Sequence, residues 1–300
     1  MAVSLSKVER SAPGLVSLYK TAGASVERRG LNGQRVAVYL VVDYSGSMRP
    51  YYKDGSVQAL ADRVLGLSAH LDDDGSVPVV FFSTEVDAQA EIALADHAGW
   101  IDRIVAGLGH MGKTSYHLAM DAVVRHYRES GATAPAFVLF QTDGGPISKS
   151  AAEKRLCEAA TLPIFWQFIG FGDPDGKQFD FLRKLDELPV PEKRPIDNAG
   201  FVHLGRDPRT VSDEDLYDLL LSELPSWLAA ARAQGIVPEQ PAPQPQPQPK
   251  PKAKAAPAAP SSERRGFWAT LTGGPGKRSR RGQAVRRGGA GFDGLDEGGP

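Results

Sequence analysis

Cysteine is nearly absent from this chain: one residue, Cys157, in 300. A lone thiol cannot close an internal disulfide, so a disulfide-stapled secreted scaffold is excluded and a reducing, cytoplasmic setting is expected. Long apolar runs are also missing. No stretch approaches the roughly 18 apolar residues that cross a bilayer, and the opening MAVSLSKVER lacks the apolar segment of a secretory leader. No membrane span is expected. The chain has no GxSxG nucleophile turn, and none of its six histidines (His70, His97, His110, His117, His126, His203) is spaced as a zinc ligand. A non-enzymatic role is therefore expected.

The net charge of −1 conceals an asymmetry. Residues 238–300 carry 11 Lys or Arg against 5 Asp or Glu, whereas residues 1–237 carry 24 against 31. The composition breaks at Pro238, where PEQPAPQPQPQPKPKAKAAPAAP begins. This proline-dense stretch predicts an extended spacer, and the Gly- and Arg-rich segment beyond it predicts a disordered tail. Within the tail, Arg264, Arg265, Phe267, Trp268 and Leu271 form a basic-aromatic cluster of the kind that binds nucleic acid or an acidic partner.

Residues 36–234 alternate strand-like and helix-like patterns. VAVYLVVD (36–43) is a continuous apolar run, as in a strand covered on both faces. Residues 56–71 have helical spacing, VPVVFFS (77–83) reads as the next strand, and helical patterns follow at 100–108 and 116–128. Then come strand 136–143, helix 149–160, strand 163–171, helix 178–187, strand 201–204 and helix 213–224, kinked or ended by Pro225 and continued to a glycine stop. This alternation predicts a doubly wound α/β fold, a mostly parallel sheet with helices on both faces. The expected division is a lead over 1–30 packing an amphipathic turn (Leu15, Val16, Leu18, Tyr19) beside the sheet, a domain over 31–237, and the tail over 238–300.

The chemistry concentrates at strand ends. The first strand closes on Asp43-Tyr44-Ser45-Gly46-Ser47, a later one on Thr142-Asp143-Gly144-Gly145, and Thr114 precedes a helix between them. In an open α/β sheet ligands gather at the carboxyl ends of the strands, so Asp43, Ser45, Ser47, Thr114 and Asp143 can converge. All five offer oxygen and none offers sulfur or imidazole, a set that selects Mg²⁺, with Mn²⁺ or Ca²⁺ as alternatives. A divalent cation would also relieve the repulsion between two carboxylates in a small space.

Asp43-x-Ser45-x-Ser47, followed by Thr114 and Asp143-Gly144, resembles the metal-ion-dependent adhesion site of von Willebrand factor A domains, with all five positions filled. The resemblance spans roughly 31–237. It implies that Ser45, Ser47 and Thr114 ligate the cation directly, that Asp43 and Asp143 act mostly through water, and that a protein partner's acidic side chain completes the shell. Tyr44, Lys113 and Gly144 would form the partner-binding rim. LYKTAG (18–23), QALADRVLGLSAHLDDDG (58–75), PIFWQFIGFG (163–172), FDFLRKLDEL (179–188) and the run 213–236 are similar to the A domain of bacterial tellurium-resistance, TerF-like proteins. That likeness implies a stress or tellurium-resistance setting.

A second signature competes. Gly107 through Thr114 formally satisfies GxxxxGK[ST], the phosphate-binding loop of nucleotide hydrolases, with Lys113 as its lysine. Such a loop has to follow a strand, whereas WIDRIVAGL before it has helical spacing. A nucleic-acid-binding tail on an inert scaffold is the third reading.

Overall fold

The computed structural model describes residues 2–238; the tail readings fall outside the described residues. In chain order the elements are α1 (Leu5–Ser11), α2 (Val16–Arg28), β1 (Ala37–Asp43), α3 (Arg49–Lys53), α4 (Ser56–Leu71), β2 (Ser76–Phe82), β3 (Val86–Ala93), α5 (Trp100–Val105), α6 (Tyr116–Glu129), β4 (Ala136–Thr142), α7 (Lys149–Ala159), β5 (Ile164–Gly170), α8 (Asp180–Asp186), β6 (Ala199–His203), α9 (Asp213–Leu220) and α10 (Leu224–Ala233). The strands form one sheet in the order β3-β2-β1-β4-β5-β6. Every pairing is parallel except β2 with β3. The doubly wound, mostly parallel fold is the one the alternation predicts.

The central strands β1, β4 and β5 are buried almost throughout, which explains their unbroken apolar runs. Alternate residues feed two cores. Val38, Leu40 and Val42 point toward α1, α2, α4, α9 and α10, with Val64, Leu65, Leu216 and Trp227 among their neighbours. Tyr39 and Val41 point toward α6, α7 and α8, with Met120, Leu156 and Leu182. Period 2 in the strands against period 3.6 in the helices thus divides one chain into two apolar layers around one sheet.

Several elements differ from the sequence reading, the short helix α3 among them. β3 is an added antiparallel edge strand, hydrogen-bonded along β2. The lead is two helices rather than one turn, and α2 packs against α4 and α9. Leu15 is buried as expected. The last helix is two helices: α9 stops at Leu220, and Pro225 sits in the first turn of α10, where its missing N–H costs nothing. The glycine stop is Gly235, at φ +69°. Among the described residues no helix is long and apolar enough to cross a membrane.

Candidate metal centre

β1 and β4 are neighbours in register, with Val42 opposite Gln141, so Asp43 emerges beside Thr142. Asp43 is fully buried. The Ser45 N–H donates to its Oδ1 at 2.7 Å and the Thr142 hydroxyl donates to its Oδ2 at 2.6 Å. Its own carbonyl accepts from the Tyr52 hydroxyl at 2.9 Å. Burial pushes the Asp43 carboxyl up to about 7; the charge of Asp143 adds to the rise, and the hydrogen bonds from Thr142 and Ser45 oppose it.

Above this floor runs a chain of polar contacts. The Ser45 and Ser47 hydroxyls are 3.2 Å apart, and the Ser47 hydroxyl donates to Asp143 Oδ1 at 2.9 Å. Burial raises the Asp143 carboxyl too, against the hydrogen bond from Ser47. Ser45 is buried, Asp143 half-buried and Ser47 exposed, so the cluster opens outward from Asp43.

Thr114 arrives on the loop between α5 and α6. Three ties fix that loop. Gly112 forms a parallel bridge with Ser45 and accepts from the Gly46 N–H at 3.0 Å. The Ser115 N–H donates to the Ser83 carbonyl at 2.8 Å, and the Lys113 N–H to Thr84 Oγ1 at 3.0 Å. The Thr114 hydroxyl donates to the Gly145 carbonyl at 3.0 Å, while its carbonyl accepts from the Ile147 N–H at 2.8 Å. The ends of β1, β2 and β4 are thus laced through one loop. Gly112 is required at the crossing: a Cβ there would stand 2.5 Å from Thr84 Oγ1 and 2.7 Å from Ser83 Oγ.

The structure therefore links Asp43, Ser45, Ser47 and Asp143 by contacts of side chains and adjoining backbone, and ties the Thr114 segment to both strand ends. Of the expected rim, Lys113 is exposed and Gly144 half-buried. Tyr44 corrects the expectation: it is only 7% exposed, its hydroxyl donates to the Gly109 carbonyl at 3.2 Å, and its ring stands edge-on to Tyr52. It braces the loop through that bond. Sequence reasoning passed over Thr142 and Tyr116. Thr142 holds Asp43, and the Tyr116 hydroxyl reaches the Thr142 hydroxyl at 3.3 Å and donates to the Gly144 carbonyl. Thr142 was findable, since it precedes Asp143 on a strand abreast of Asp43; Tyr116 gave no local signal.

Among the described residues no group of three or more His, Cys, Asp or Glu side chains is placed to hold a metal ion. A cation site here has to be built with hydroxyls, which is the composition of this cluster, and its two carboxylates with raised pKa suit a divalent ion. The strand–loop–helix context of a phosphate-binding loop is missing. Residues 107–114 follow helix α5, and the Lys113 N–H that would face a phosphate is spent on Thr84. Asp72 to Gly75 ends α4 as a turn, with Gly75 at φ +81°.

Residues 35–237 match the family described as vWA-TerF-like, the vWA domain found in the TerF C terminus. The uncharacterized protein YcbR of Bacillus subtilis (strain 168) is 36% identical over 250 residues, covering 82% of this chain and 93% of that protein. Solved structures similar to this chain include manganese-loaded TRAP of Plasmodium vivax, at 19% identity and TM-score 0.44, covering 63% of this chain and 73% of that one. Proximal thread matrix protein 1 of the mussel byssus is similar at 14% identity and TM-score 0.41, covering 66% of this chain and 47% of that one. With a family match across two thirds of its length and a relative of this identity, the chain belongs to the TerF-like von Willebrand factor A family.

Proposed function

We propose that this domain is a non-enzymatic, metal-dependent protein-binding module. Ser45, Ser47 and Thr114 hold one Mg²⁺-class cation through their hydroxyls, with Mn²⁺ or Ca²⁺ as substitutes, and Asp43 and Asp143 support it from behind. When bound, the cation supplies an electrophilic position for an anionic oxygen. The residues around it do the rest. Asp43 and Thr142 anchor the Ser45 turn, Ser47 and Asp143 close the opposite side, and exposed Lys113 draws an acidic side chain of a protein partner toward the edge. The observation that carries the reading is the hydrogen-bonded run from Asp143 through Ser47 and Ser45 onto a fully buried Asp43.

The cellular role proposed is that of an adaptor in a bacterial stress or tellurium-resistance-type system in the cytoplasm. Family membership and the scarcity of cysteine support it. The test has two arms. Calorimetric titration with Mg²⁺ and Mn²⁺ gives one saturable site in the wild type and none in Thr114→Ala. Partner capture from native lysate occurs in Mg²⁺ and stops in EDTA and with Asp43→Ala. Equal capture in EDTA refutes the metal-bridged reading.

A further inference from the structure

The Thr142-Asp143-Gly144-Gly145 turn runs on through Pro146 and Ile147 before α7 begins. Ile147 is 54% exposed, the most exposed large apolar side chain among the described residues. Its backbone is held on both sides. The Ile147 N–H donates to the Thr114 carbonyl at 2.8 Å, and Pro146 before it is buried. Ser148 after it caps α7, its hydroxyl accepting from the Ala151 N–H at 3.3 Å. The side chain is therefore presented to solvent from a fixed position beside the Thr114 segment.

Single apolar residues are ordinary on a protein surface, so the weight lies in what surrounds this one. Lys113 precedes Thr114 in the chain, and Lys149 lies two residues beyond Ile147. Both are exposed, and neither makes an ion pair among the described residues. This bank of the cation cluster thus offers one large apolar side chain and two unpaired ammonium groups. The other bank is built differently. The Phe171 N–H donates to the Thr142 carbonyl at 2.9 Å, and the half-buried Tyr51 ring stands edge-on to Phe171 with centroids 5.3 Å apart. The Gly172 N–H donates to the Gly205 carbonyl at 2.8 Å, and Arg206 next to it is already paired with Asp173 at 2.5 Å. Apolar surface and unpaired positive charge therefore fall together on the Thr114 side.

We propose that the partner is an acidic peptide segment with a large apolar residue close to its metal-binding carboxylate. The apolar side chain packs on Ile147, and further carboxylates of the segment face Lys113 and Lys149. This rests on the cation-bridged reading above and adds the class of sequence that the face selects. A cation alone holds any accessible carboxylate, so discrimination among acidic segments falls to the side chains beside it. A nucleic-acid backbone would meet the two lysines and leave Ile147 uncovered, which favours a protein partner.

Heptapeptides with a central glutamate and otherwise random positions are displayed on phage, captured on the full chain in Mg²⁺ and eluted with EDTA. The eluted pool is enriched in Leu, Ile, Met or Phe at one fixed offset from the glutamate, and in Asp or Glu elsewhere. In the most frequent peptide, replacing the apolar residue by serine weakens binding roughly tenfold, and Ile147→Ser does the same. Combined, the two changes cost no more than either alone, as a direct contact requires. Lys113→Ser with Lys149→Ser removes the acidic preference and flattens the salt dependence of binding. An eluted pool without apolar enrichment, or losses that simply add, overturns the proposal and leaves the cation reading standing. If calorimetry shows no Mg²⁺ uptake, the cation reading fails by itself; the apolar contact then stands or falls on whether peptides held in EDTA are lost with Ile147→Ser. A Mg²⁺-dependent dimer abolished by Ile147→Ser assigns the face to a second copy and overturns the proposal, as does displacement of the peptides by oligothymidylate but not by polyglutamate.

Discussion

Asp43→Asn is the sharpest perturbation of the metal centre. The wild-type carboxyl is fully buried and rises from an ordinary 3.8 to about 7 without a cation. The folded state thus binds that proton more tightly than the unfolded chain does. The resulting stability is present in full below about pH 4 and is lost as pH climbs through 7. At about 1.36 kcal/mol per pKa unit, the ceiling on this loss is about 4 kcal/mol, and local relaxation lowers it. Asparagine fits the same contacts. Its oxygen accepts from the Ser45 N–H, its amide donates to Thr142 Oγ1, and that hydroxyl turns to the Gly144 carbonyl 3.1 Å away. In EDTA at about pH 8, Asp43→Asn should therefore melt above the wild type, by on the order of 10 °C at the ceiling. The gap closes as the buffer is taken toward pH 5. Saturating Mg²⁺ narrows the gap by raising the wild type alone, since a ligand at 100 times its Kd stabilises it by about 2.7 kcal/mol. Thermal unfolding by circular dichroism over pH 5 to 8.5, with EDTA or Mg²⁺, reads all of this. Parallel pH profiles for the two proteins in EDTA, or an equal Mg²⁺ gain in both, would refute the reasoning.

Two further outcomes follow from the packing. Gly112→Ala drives a methyl into Thr84 and Ser83, breaking the bridge to Ser45; Mg²⁺ affinity should fall at least roughly tenfold in calorimetry while the far-ultraviolet spectrum is retained. Arg63→Ala removes the bond to Asp213 at 2.8 Å and that to the Val211 carbonyl at 3.0 Å, which hold the α9 entry onto α4; urea unfolding should show a loss of about 1–3 kcal/mol, with Mg²⁺ binding unchanged.

The parallel core was legible because its strands are covered on both faces, which forces continuous apolar runs such as 36–43 and 136–142. The cation cluster was legible because parallel strands share one ligand edge, so side chains distant in sequence had to arrive together. β3 escaped notice because its inward residues include Ala88 and Ala90, too small to mark a period-2 stripe, and antiparallel edge pairing needs no helical crossover to announce it. The two N-terminal helices were hidden by TAGAS within α2, whose small residues suit close helix packing but carry a weak apolar signal. Pro225 reads equally as a terminator and as a first-turn residue; only the break at residues 221–223 decides between them.

The antiparallel strand at the sheet margin has a consequence for self-association. A free strand edge invites another chain to extend the ladder, and β3 alternates its small apolar residues with Asp87, Gln89 and Glu91. Docking a second copy edge to edge would set the carboxylates of one copy against those of the other. The opposite margin is β6, only five residues long. Both ends of the sheet are thereby poor templates for further stacking, which guards a protein built around so apolar a centre against polymerisation at high concentration.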